Sequence, residues 1–316
     1  MATEDSLARR IAHEIFIRER VSGNLASKTI QTLASLGEDL TFPPGTVIYR
    51  AGEPAAALYG LLGGQIDLLV EGKPPRRFRP HGPLGHIEVL EDIPRRHTAV
   101  CVTEVAVSRL WADEYRDFLE DHFDFVMAAV LNAASDLHRA SLALAPDGGF
   151  APAVTSALPG PMNLAQKVIT LRDSGALSGA STQAIVRLAS LSREIREDAG
   201  EIVFDHGGAA GLFFLVAGGL VEARRDAPEM VGRFGRGDLV CGYGALGDAD
   251  NLYSARALTP VSVLSLREED FFDVMEEHFD LARSVLAGIG LEAERLVDEI
   301  ERRTGVSVPP MGQERP

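Results

Sequence analysis

Short apolar segments punctuated by glycine and proline dominate the first third of the chain. Residues 46–49, 57–62 and 65–70 are apolar stretches separated by Gly or Pro turns, the pattern of strands in a compact β-roll. After a further apolar stretch at 106–110 the period lengthens from two to that of a helix. Phe118, His122, Phe125, Ala129, Ala133 and Leu137 then fall on one face. The succession recurs downstream, where a strand expected over 261–266 is followed by Leu281, Val285, Ile289, Ala293, Leu296 and Ile300 on one helical face. Each roll is therefore expected to end in a long amphipathic helix. Shorter helical patterns precede the rolls, from 4 to about 20 and from 163 to about 172.

The recurrence is a duplication. LASL stands at 33–36 and again 155 residues later at 188–191. At the same offset Gly45 matches Gly200, Val47 and Ile48 match Ile202 and Val203, Tyr49 matches Phe204, Gly52 matches Gly207, Tyr59 matches Phe214 and Gly64 matches Gly219. After a slip in register, HFD at 122–124 returns at 278–280. A unit of this length can bury its own core, so the repeat is a domain and not a solenoid element. The pairs Gly63-Gly64 and Gly218-Gly219 are expected to supply the positive φ angles of tight hairpins. Between the copies, APDGGFAPAVTSALPGPM at 145–162 has the composition of a linker. The expected organisation is a first roll with its N-terminal helix over 1–144, a linker over 145–162, a second roll over 163–305 and a disordered tail over 306–316. The fold class is α+β: two jelly-roll-like β-rolls flanked by helices.

Charge narrows the functional classes. The formal net charge of -15 over 316 residues opposes attraction to nucleic acid or to an anionic membrane. No apolar run approaches the roughly 20 residues of a membrane helix. Cys101 and Cys241 are too few for a disulfide framework, and no secretory leader pattern opens the chain. Cytoplasmic localisation is the expectation.

The ordered elements, namely a helix, the PPGTVIYRAG segment within 42–52, the YGLLGGQIDLL hairpin at 59–69, a short cassette, further strands and a terminal helix, resemble the cyclic-nucleotide-binding domain family. The tandem layout is similar to that of kinase regulatory subunits. The family cassette reads G-E-x-A-L followed by P-R-x-A-T, in which a short helix and an Arg hold the cyclic phosphate and a Glu holds the ribose hydroxyl. In LGHIEVLEDIPRRHT the resemblance places Gly85 on the glycine, His86 on the Glu, Glu88 on the Ala, Arg95 on the phosphate-binding Arg and Thr98 on the final Thr. Glu88 adds a carboxylate where the family keeps a small side chain. In the second copy, GDLVCGYGALGDADNLYSARA places Gly242 on the glycine, Tyr243 on the Glu, Ala245 and Leu246 on A-L, and Leu252 on the Arg. Both polar anchors are absent there, Asp248 and Asp250 add negative charge, and Arg256 is the nearest substitute cation.

Other features have plainer readings. Arg95, Arg96 and His97 form a basic cluster that could hold an anion or pair with Glu88, Glu91 and Asp92. His81, His86, Glu88 and His97 lack the spacing of a cupin-like site, so no metal is assigned. KPPRRFRP at 73–80 reads as a solvated hairpin tip. No nucleophile, base pair of carboxylates or nucleotide loop stands in a catalytic motif, so no enzyme is expected. The terminal helix either packs within the chain or forms a homodimer through Leu281, Val285, Ile289, Leu296 and Ile300. No helix-turn-helix follows the second roll, so DNA is not an expected partner, and neither is a membrane. The combined expectation is a regulatory or scaffold protein that binds other proteins, with its second pocket unable to take cyclic nucleotide. The alternative is a sensor in which the first roll binds a cyclic nucleotide through Arg95 and moves its terminal helix; no other cofactor is called for.

Overall fold

The computed structural model describes residues 27–78, 82–143, 155–157, 160–177, 179–205, 211–226, 229–240, 246 and 253–304. The helix expected over 4–20, His81, most of the linker, Cys241, the cassette residues Gly242, Tyr243, Ala245 and Leu252, and the tail lie outside them.

The first roll begins with α1 (Ser27–Leu36), followed by β1 (Glu38–Phe42), β2 (Val47–Tyr49), β3 (Ala57–Gly63), β4 (Ile66–Leu69), β5 (Arg76–Phe78) and β6 (Pro83–Leu84). Then come the short helix α2 (His86–Glu91), β7 (Thr98–Cys101), β8 (Val105–Trp111), α3 (Ala112–Asp121) and α4 (Phe123–Ala143). Its strands form two antiparallel sheets in the orders β1-β8-β3-β6 and β2-β7-β4-β5.

The second roll is preceded by α5 (Leu164–Asp173) and contains α6 (Thr182–Leu191), β9 (Arg193–Glu197), β10 (Ile202–Phe204), β11 (Leu212–Gly218), β12 (Val221–Asp226) and β13 (Glu229–Phe234). It ends with β14 (Ser254–Ala257), β15 (Val261–Arg267), α7 (Glu268–Glu277) and α8 (Phe279–Thr304). Its sheets, β9-β15-β11 and β10-β14-β12-β13, repeat the orders β1-β8-β3 and β2-β7-β4-β5 of the first roll. An isolated bridge, Leu215 to Leu239, stands where β6 meets β3 in the first copy.

The duplication extends to the interior. The buried stripe of α1, Thr29, Ile30, Leu33 and Ala34, has its counterpart in Ala184, Ile185, Leu188 and Ala189 of α6. One core contains Tyr49, Tyr59, Leu61, Ile66, Val105 and Val107. The other contains Phe204, Phe214, Val216, Val221, Val261 and Val263. Both stack their ring pairs, Tyr49 on Tyr59 and Phe204 on Phe214. Apolar side chains at the same ladder positions thus close the same roll twice.

Four expectations need correction. The glycine pairs do not close hairpins, because β3 and β4, like β11 and β12, lie in different sheets. They turn the chain from one sheet to the other, and only the second glycine of each pair has positive φ, Gly64 at 87° and Gly219 at 86°, while Gly63 and Gly218 end their strands. The terminal stripe from Phe118 to Leu137 is not one helix, because His122 at φ -131°, ψ 68° separates α3 from α4. His278 divides α7 from α8 in the same way. The basic segment 73–80 is not simply a solvated tip, since Arg76–Phe78 pairs with β4 and its arginines are engaged by carboxylates. Finally, Leu281, Val285 and Ile289 are almost wholly buried within the single chain, so they are not a free face for a second copy; Leu296 and Ile300 are half-buried.

The start of α5 shows how local sequence sets an element. Asn163 accepts from the Gln166 backbone N–H at 3.0 Å while the Gln166 side chain accepts from the Asn163 N–H at 2.9 Å, a reciprocal capping box. Asn163→Ala is expected to lower stability by about 1 kcal/mol, seen as a small drop in the calorimetric midpoint.

Contacts gather the chain into two compact units whose limits differ from the 145–162 linker. One joins the residues up to Asn132 with those from Gly290 onward, and the other runs from Ala133 to Ile289. The first unit therefore contains the outer half of α8.

Candidate functional site

The first cassette lies in that unit, between β6 and β7. Gly85 opens α2 at φ 76°, and a Cβ there would lie 2.0 Å from the Arg95 Nη1 atom. Only glycine admits the arginine so close. Arg95 is 4% exposed and its guanidinium lies 4.2 Å above the Tyr49 ring. Its Nη1 donates to the Gly85 carbonyl at 3.1 Å and its Nη2 to the Ala57 carbonyl. The residue that the resemblance assigns to a phosphate thus directs its two terminal nitrogens at backbone oxygens and its face at a ring, while its buried Nε has no hydrogen-bond partner among the described residues.

The neighbouring side chains carry the remaining charge. Glu88, on α2, is 1% exposed. Arg96 Nε donates to its Oε1 at 3.1 Å, and the His97 Nδ1 lies 3.6 Å from the same oxygen. Burial pushes the Glu88 carboxyl upward, but His97, Arg96 and the helix backbone together hold it below its usual value. Burial lowers the His97 imidazole below its usual range, against the opposing pull of the Glu88 and Glu294 carboxylates. Tyr49, whose hydroxyl burial raises well above its usual value, lies 2.6 Å from His97 Nε2. A protonated tyrosine donating to Nε2 leaves the imidazole proton on Nδ1, aimed at Glu88.

Arg96 turns its other edge to α8. Its Nη1 and Nη2 donate to the two carboxylate oxygens of Glu294 at 2.6 and 2.9 Å. The cassette side chains are therefore linked in one series: Tyr49, His97, Glu88, Arg96, Glu294.

Of the sequence-named residues, Gly85, Glu88 and Arg95 come together in the cassette. His86 is half-buried, and burial lowers its pKa. Thr98 accepts from the Ala51 N–H at 3.0 Å and so ties the cassette exit to the β2–β3 turn. Of the acids weighed as partners for the basic cluster, Glu88 takes Arg96, whereas Asp92 pairs with Arg116 at 3.1 Å. The sequence reading misses Tyr49 and Glu294 as members of the cassette. The hydroxyl at 49, against Phe204 in the other copy, is the one local signal for the first; the acidic spacing of 294, 298 and 301 is the signal for the second. Cys101 is buried in β7 with its thiol pushed up by burial. In the second roll Leu246 is buried, and Arg256 donates to the Gly200 carbonyl at 3.1 Å from an exposed position.

Two rolls of this strand order, one after the other in the chain, define a duplicated β-roll architecture. The chain belongs to the cyclic nucleotide-binding domain family, whose profile matches residues 39–122 and 195–278. Among curated proteins it is similar to the cAMP-dependent protein kinase regulatory subunit of Pyricularia oryzae, 28% identical over 119 residues, 37% of this chain and 30% of that protein. It is also similar to that of Aspergillus fumigatus, 28% identical over 134 residues, 41% of this chain and 32% of that protein. The matches span about a third of these relatives' length. Solved structures with similarity include the regulatory domain of Toxoplasma gondii PKA with cAMP, at 17% identity and TM-score 0.34, covering 85% of this chain and 92% of that one. Another is the regulatory subunit of a cAMP-independent protein kinase A from Trypanosoma brucei, at 18% identity and TM-score 0.37, covering 95% and 92%.

Proposed function

We propose that the protein is a non-enzymatic regulator that works through protein contacts, in which neither cassette takes a cyclic nucleotide as its ordinary ligand. One observation carries the reading for the first roll. Arg95 is buried against Tyr49 and bonded to the carbonyls of Gly85 and Ala57, while the buried anion beside it is the protein's own Glu88. Withdrawing the guanidinium would sacrifice hydrogen bonds worth about 1.5–3 kcal/mol each, and an entering phosphate would meet a carboxylate. Together these remove two or more decades of affinity at about 1.4 kcal/mol per decade. In the second roll, Leu252 and Tyr243 at the positions of the family's Arg and Glu support the same conclusion. The relatives are named as regulatory subunits of a protein kinase, so a protein that is itself regulated, such as a kinase catalytic chain, is the partner class this reading favours.

Titration calorimetry with cAMP, cGMP and cyclic dinucleotides is expected to give no saturable heat. Saturable binding that disappears in Arg95→Ala would overturn the reading in favour of a nucleotide sensor.

A further inference from the structure

Around Arg96 lies a larger set of charges. Glu294, Asp298 and Glu301 are spaced four and three residues apart and so lie along one face of α8. Asp298 accepts from Arg76 at 2.6 Å and from Lys73 at 3.0 Å, and Glu301 accepts from Arg76 at 3.0 Å. Glu294 takes both ends of the Arg96 fork. The cations come from two separate parts of the roll, the β4–β5 hairpin and the exit of the cassette. The helix meets them closely at its other end as well: a Cβ on Gly290 would lie 2.8 Å from the Ile87 Cδ1 atom of α2. Val297, between the charged positions, is 2% exposed.

We propose that the segment 290–304 is an electrostatic latch on the first cassette, seated through Gly290 and Val297 and fastened by its acidic face on Arg96, Arg76 and Lys73. The shared guanidinium makes it a readout of the cassette. Arg96 binds the inner carboxylate of Glu88 and the outer carboxylate of Glu294 at once, so a change that draws Arg96 inward or away unfastens the helix. The charged groups facing Arg96 are Glu88 on its own roll and Glu294 on the helix, with His97 beside Glu88. The pairs are partly exposed, with Arg96 at 31% and Glu294 at 39%, so salt reaches them; the screening length falls from about 8 Å at physiological ionic strength to about 3 Å at 1 M. The inference deepens the regulatory reading by naming a moving part, but it concerns helix seating and not nucleotide affinity.

Hydrogen exchange on the full chain tests it, with the amides of 290–304 followed beside those of β3 as a gauge of the roll itself. Raising NaCl to 1 M is expected to speed exchange in 290–304 and leave β3 unchanged. Glu294→Arg, which sets two cations against each other, is expected to speed it about tenfold, and the near-isosteric Glu294→Gln by a smaller factor. Exchange in 290–304 that ignores both variants, or that rises only in step with β3, would overturn the latch. The nucleotide titration can fail or succeed independently of either result.

Discussion

Arg96→Ala is expected to destabilise the first unit by about 3–5 kcal/mol, the usual cost of stripping the partner from a buried charge. Glu88 is 1% exposed and Arg96 is the permanent cation against it. For a unit of this size the loss corresponds to a fall in midpoint on the order of 10 °C or more. Trp111, the chain's one tryptophan, ends β8 in this unit, so its fluorescence on heating reports the change. The pH dependence fixes the cause. In the wild type the Glu88 carboxyl is held below its ordinary value, so its contribution is present above the unfolded carboxylate pKa of about 4.3 and is lost as pH falls through the lower folded value. In Arg96→Ala burial dominates and raises the group, so the penalty is largest at neutral pH and is relieved by acid. The gap between variant and wild type should begin to narrow as pH falls through the variant's raised carboxyl value, above the ordinary carboxylate range, and go on closing until the lowered wild-type value is passed. A constant gap would mean lost packing and not an orphaned charge. Replacing both residues, as Glu88→Leu with Arg96→Met, should recover most of the stability.

The second large effect is expected at the glycines that turn the chain from one sheet to the other. Gly45, Gly64 and Gly219 all have φ between 82° and 87°, so alanine at any of them incurs the left-handed strain of about 1–2 kcal/mol. Their surroundings differ. A Cβ at Gly45 meets nothing within 4 Å, whereas at Gly64 it would stand 2.2 Å from the Glu104 carbonyl oxygen and at Gly219 2.3 Å from that of Pro260. Both obstacles are backbone at the entry to β8 or β15, so neither can swing aside as a side chain would. Gly64→Ala and Gly219→Ala are each expected to cost on the order of 4 kcal/mol in total, against about 1–2 for Gly45→Ala. Differential scanning calorimetry of the three variants checks the order. Equal losses at all three would show that strain alone is responsible.

The duplicated roll is legible in the sequence because closing it requires glycine and ring side chains at fixed ladder positions, and those recur together. Breaks in the terminal helices are less so. Phe118, His122 and Phe125 keep helical spacing across the break, and the interruption lies in the backbone angles of His122, which side-chain pattern does not encode. In the cassette, the resemblance puts Arg95 in the right place but is silent on where its guanidinium points. The two adjacent arginines precede β7, and it is the contacts of Arg95 with Tyr49 and two carbonyls, against those of Arg96 with Glu88 and Glu294, that set their different directions. Glu294 is separated from Arg96 by 198 positions, so no local spacing ties them. Its acidic stripe reads as an ordinary solvated face until the roll beside it is known.

The division of the first unit between residues up to Asn132 and those from Gly290 has a consequence for the order of events at the ribosome. All strands of the first roll emerge before the second roll is made, yet the segment that covers its cassette is synthesised only after the second roll. Joining the two pieces closes a loop of more than a hundred residues, and the entropic cost grows only slowly with such length. The delay is therefore one of synthesis: at about 5–20 residues per second, the new roll waits many seconds with Arg96, Arg76 and Lys73 uncovered. A nascent chain stalled before Gly290 would display that basic edge, and the finished chain covers it.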